Sequence, residues 1–209
     1  MKLLLIGICD KNPGSRHDFW TKPSFDRNTG LVKQGVVEFV AVAWAYGPWI
    51  TAFNYLRPVI SIDAAFLSGR YEGRLLMACG YDAENQLLPL EFAIVHKENE
   101  DNWGWFLHWF RINVIGVNRF VCVISYQHKG IKAALKPDYG WDSNNFVHRY
   151  CIQHVADNLV QACGKDKWYG TRFKQGAKKK KPRRLKEMFE DFAMVCLILS
   201  NYVVHFLFF

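Results

Sequence analysis

The sequence predicts an α/β fold whose mixed sheet consists of three antiparallel strands followed by strands alternating with helices. Three observations carry this. RPVISIDAAF (57–66) and FVCVIS (120–125) are short β-branched runs, apolar on both faces as central strands are. GRLLMACGYDAENQLLPLEFAIV (73–95) is two apolar runs around the turn-rich YDAENQ, the pattern of a hairpin, with Asp82 as its turn residue. Behind the hairpin, Trp103, Phe106, Leu107 and Phe110 recur at helical spacing.

Taken in order, the elements read as follows. MKLLLIGIC opens the chain with a lysine and a short apolar run, but Asp10-Lys11 follows directly and no small-residue cleavage site is near, which argues against a signal peptide. LVKQGVVEFVAVAWAYGPWITAFN (31–54) reads as a strand or helix, a turn at Gly47-Pro48 and a short helix, so residues 1–57 are expected to be an irregular lead-in. The first central strand begins at Arg57-Pro58, where a strand tolerates proline. After the hairpin, Asn99, Glu100 and Asp101 suit a helix N-terminus. FVCVIS leads to a helix from about Lys129 to Leu135, which Pro137 to Gly140 closes. FVHRYC gives the next strand, and IQHVADNLVQAC a last helix. Two of the strands echo one another: VISID (59–63) ends on an acid, Asp63, and VISYQ (123–127) carries Tyr126 at the same place.

Net charge is +8, yet residues 165–186 alone hold 11 of the 27 Lys and Arg and one of the 19 acids. The remaining 16 basic and 18 acidic residues leave the rest of the chain slightly acidic. Attraction for polyanions therefore belongs to a basic linker, residues 165–191. Within it, KKKKPRR (Lys178, Lys179, Lys180, Lys181, Pro182, Arg183, Arg184) fits a nuclear import signal, a phosphate grip without sequence preference, or a solvated linker. The six cysteines are scattered without a Cys-x-x-Cys pair, which favours reduced thiols. FAMVCLILSNYVVHFLFF (192–209) is an apolar tail at the shortest length that spans a bilayer. Asn201 and His205 inside it make a membrane span unfavourable, although a tail anchor stays as an alternative.

Three antiparallel strands followed by alternating helices and strands is the layout of a ribonuclease-H-like domain. RPVISIDAAFLSGRYEGRLL, FAIVHKENEDNWGWFL, VISYQHKGI and HRYCIQHVADN, in that order and spacing, resemble the transposase domain of plant Mutator-like elements. The resemblance covers roughly residues 29–164, with residues 58–164 as the core, and NPGS (12–15) and AWAYGPWITAF (43–53) resemble the family's lead-in. It implies a DNA transposase using two aspartates and a glutamate to hold two Mg²⁺ ions, and implies DNA as partner, the nucleus as location and no small-molecule substrate; a homo-oligomer stays open.

Asp63 stands at the first aspartate's place, and an acid ending a buried strand needs a partner or a metal. The second aspartate belongs where Tyr126 stands, with His128 and Lys129 of the family's His-Lys-Gly preserved beside it. A neutral phenol is a poor Mg²⁺ ligand, so the resemblance implies an abolished metal site. Cys151-Ile-Gln-His154 matches the family's Cys-x-x-His, which is only half of a zinc site; Cys163 and His148 would have to complete it. Glu187 and Glu190, the only glutamates downstream, read as a solvated face, and the family's third acid is carried onto neither. The fading of the resemblance near Cys163 leads to the expectation of a truncated or aberrantly spliced chain. A domesticated, non-enzymatic DNA-binding protein is the alternative of a different class.

Overall fold

The computed structural model describes residues 2–68, 72–84 and 86–162. Residues up to Tyr150 form one compact unit and those from Cys151 onward belong to a second. The basic segment 178–184, Cys163, Glu187, Glu190 and the apolar tail lie outside the described residues.

Helix α1 (Lys2–Lys11) precedes strands β1 (Arg16–Phe25) and β2 (Val32–Ala45) and the short helix α2 (Gly47–Phe53). Strands β3 (Arg57–Leu67), β4 (Gly73–Tyr81) and β5 (Leu87–Val95) lead to α3 (Glu100–Phe110), which continues through one wider turn, Arg111–Ile115. Then come β6 (Val121–Ser125), α4 (Lys129–Ala134), a 3₁₀ turn (Pro137–Tyr139) and β7 (Phe146–Tyr150), and α5 (Ile152–Ala162) opens the second unit. One seven-stranded sheet runs in the order β1-β2-β5-β4-β3-β6-β7. Its first four pairings are antiparallel, and β3-β6 and β6-β7 are parallel.

The lead-in is thus not irregular. The edge strand β1 carries Pro23, which cannot donate to a ladder and so needs an edge. β2 joins the rest of the sheet through its second half alone: Ala41 to Trp44 pair with β5, while residues 32–39 pair with β1 alone and stay exposed.

Alternation sets the core. Ala41, Ala43, Ile60, Ile62, Leu76, Ala78, Ala93, Val95, Val121 and Val123 face one side of the sheet and are buried there with Trp103, Phe106, Leu107 and Phe110 of α3. Four of these sheet residues are alanines, which leave room for a helix whose inner face is aromatic. Asn99 starts that helix by accepting the Asn102 amide at 2.9 Å, and Glu100 and Asp101 sit in its first turn at the positive end of the dipole. Among the described residues no helix is long and apolar enough to cross a membrane.

Candidate active site

The register of the parallel pair sets Val59 beside Cys122, Ile60 beside Val123 and Ile62 beside Ser125. β6 ends there, and the next residues along the two chains are Asp63 and Tyr126, close enough for the Asp63 charge to act on the phenol. Asp63 does not end its own strand, which corrects the expectation from sequence. β3 runs on to Leu67, with Asp63 opposite Met77 of β4, because the hairpin partner outlasts the parallel one. The half-buried Asp63 carboxylate accepts the Ala64 amide at 2.8 Å.

Tyr126 is also half-buried, and its hydroxyl donates to Glu98 Oε2. Burial pushes the phenol far above its ordinary value, and the Glu98 hydrogen bond and the nearby carboxylates add to the rise. Glu98 is held from a second side by Arg74, whose Nε lies 3.3 Å from Oε1. The Arg74 guanidinium in turn rests 3.7 Å from the centre of the Phe66 ring, on the facing position of β3.

His128 joins the cluster through its role as the α4 N-cap. Its Nδ1 accepts the Gly130 amide at 3.2 Å, which places the ring proton on Nε2, and Nε2 faces Glu98 Oε2 at 3.9 Å. The α3 and α4 starts are brought together at Gly130, where a Cβ would press on the Asn99 carbonyl at 3.1 Å. Lys129, beside it, is exposed.

Below this cluster, Ser125 is buried, and its hydroxyl lies 2.8 Å from His148 Nε2. Burial and the charges of Arg149 and Lys132 lower the His148 pKa. A serine this enclosed meets no substrate, and His148 is already engaged. Among the described residues no three His, Cys, Asp or Glu side chains gather in a way that could hold a metal ion. Cys151 and His154 belong to the second unit, where the Cys151 carbonyl accepts the Val155 amide at 3.0 Å at the start of α5. Asp82 is a turn residue as expected, its Oδ1 accepting the Glu84 and Gln86 amides at 2.9 and 2.8 Å.

The structure therefore brings Asp63, Tyr126 and His128 together and adds two residues that sequence reasoning passed over, Glu98 and Arg74. Arg74 could have been found from hairpin register, since it pairs with Val95, and the chain needs only three more residues to reach Glu98.

A search of the curated proteins found none that matches this chain. The family model for the MULE transposase domain matches residues 59–158, a span that begins in β3 and ends in α5 and includes Asp63, Glu98, Tyr126, Cys151 and His154. The chain thus carries, over those residues, a transposase domain of the Mutator-like family.

Proposed function

We propose that this protein derives from a Mutator-like transposase and keeps the transposase core without its two-metal phosphoryl transfer. The observation that carries the proposal is the Tyr126–Glu98–Arg74 chain of contacts beside Asp63. A pair of Mg²⁺ ions needs several oxygen anions directed at one point. Here a neutral phenol takes the place beside Asp63, and the other carboxylate that acts on that phenol, Glu98, is spent on it and on a guanidinium. The donor set does not fit the metals that the family implies.

The ribonuclease-H-like reading of the core is part of the same proposal. Its support is the strand order β5-β4-β3-β6-β7, with three consecutive antiparallel strands and two parallel additions, one helix covering the shared face. DNA binding in the nucleus through Lys178 to Arg184 completes it, resting on the charge concentrated there. A domesticated DNA-binding or transcription-related protein is the second reading. It is favoured by the way the cluster around Tyr126 is knitted by hydrogen bond, ion pair and ring stacking, as a structural element would be.

The test is strand nicking and transfer on duplex DNA with Mg²⁺ or Mn²⁺. No product is expected from the purified chain. Divalent-dependent transfer that vanishes in Asp63→Ala would overturn the proposal.

A further inference from the structure

The outward face of α3 carries Asp101, Trp105 and His108 in one stripe, at i, i+4 and i+7. With Trp20 of β1 and Asp138 and Tyr139 of the 3₁₀ turn they line an open groove of about 440 Å³. Tyr139 can lie against the helix because residue 104 is glycine: a Cβ there would overlap the phenol ring. The Trp20 and Trp105 rings stand 6.0 Å apart at 33° and form one continuous aromatic wall.

Two ammonium groups of the chain already rest on this aromatic surface. Lys22 Nζ lies 5.4 Å from the centre of Trp20, and Lys136 Nζ lies 5.3 Å from the centre of Tyr139. Lys136 also reaches Glu100 at 2.7 Å and Asp138 at 3.8 Å. A ring face thus meets a cation on both flanks, and on the Lys136 flank carboxylates join it. Asp101, exposed on the same stripe, has no ion pair among the described residues.

We propose that this groove binds the alkylammonium head of a lysine side chain presented by a partner polypeptide. Aromatic faces attract a cation through their quadrupoles, and Asp101 supplies the opposite charge, with Asp138, which it would share with Lys136, on the same lining. The groove is open, so a peptide backbone can remain outside it while a side chain enters. Methylation keeps the charge of the ammonium and weakens its hydration, and so favours transfer onto the rings.

The test uses the full 209-residue chain and NMR of its tryptophan indole N–H signals. The probes are a blocked peptide bearing one trimethyllysine, the same peptide with lysine, its neutral tert-butyl isostere, and tetramethylammonium chloride. The trimethyllysine peptide should give saturable shifts at the Trp20 and Trp105 indoles and bind about fivefold more tightly than the neutral isostere, the worth of one exposed cation–π contact. Asp101→Asn with Asp138→Asn should weaken it by a similar factor. Because both acids are exposed, that double variant tests the site without disturbing the core, whatever Trp105→Ala does to folding. Equal binding of the isostere, no loss in the acid variant, or the absence of saturable shifts would overturn the proposal. Tetramethylammonium binding as tightly as the peptide would overturn the polypeptide partner.

Discussion

The Tyr126 hydroxyl donates to a carboxylate, Glu98, that lies two residues before α3, the helix packed against α4. The contact joins the end of β6 to the segment between β5 and α3, so Tyr126 ties a central strand of the sheet to the entry of the helix that covers it.

Removing the hydroxyl should cost stability. Tyr126→Phe leaves Glu98 with Arg74 but strips one partner from a mostly buried carboxylate, and a loss of about 1–3 kcal/mol is expected from urea unfolding. The wild-type phenol titrates higher when folded than when unfolded, so its contribution is complete below the ordinary phenol value of about 10 and declines as pH rises beyond it. Tyr126→Phe should lack that alkaline decline. An unchanged midpoint in urea would mean that the hydrogen bond is not formed in solution.

Tyr126→Asp should raise Mn²⁺ affinity, since it sets a second carboxylate beside Asp63 and releases Glu98 from the phenol. Isothermal titration, with Asp63→Ala in the same background as control, reads the gain. A titration identical to wild type would separate the two positions by more than a shared ion can bridge.

Glu91 should be a burden on the fold. Its side chain is fully buried on the core face of β5, and neither oxygen has a hydrogen-bond partner among the described residues. Burial raises its pKa well above the usual carboxylate range. For an acid shifted this way stability is highest below the unfolded value of about 4.5 and falls as pH climbs toward the folded one. Glu91→Met, similar in volume and apolar, should gain about 1–3 kcal/mol at neutral pH and flatten that decline, measured by thermal melts across pH 4 to 8.

DNA binding should reside in the basic segment. Replacing Lys178 to Lys181 with alanine should abolish binding in gel shifts and flatten its salt dependence, because those charges release the counterions. Retained affinity with the same salt slope would move the contact elsewhere, for instance to the exposed Lys129.

The elements from Arg57 onward were legible because each has a single period and clear punctuation. The hairpin turn at YDAENQ, the Asn99 cap and the β-branched run before Ser125 all stand where their residues put them. β1 and β2 were harder to read. Pro23 and Gly35 interrupt their apolar alternation, and half of β2 is exposed, so burial had left no pattern there to read. Asp63 and Tyr126 could be matched through the repeated Val-Ile-Ser. Glu98 could not, since its meeting with Tyr126 depends on how closely α3 and α4 dock at Gly130, and no local spacing records that.

The parallel seam between β3 and β6 has a bearing on how the chain folds as it is made. β3, β4 and β5 can zip together as soon as they emerge, each beside its neighbour in sequence. The other edge of β3 must wait until α3 has been completed and Val121 to Ser125 arrive. Until then Val59 to Ile62 present unsatisfied amides and branched apolar side chains in one flat row, an invitation to another nascent chain. The interval between synthesis of Val95 and of Ser125 is therefore the period in which a chaperone has most to protect, and a ribosome stalled inside α3 would release an adhesive product.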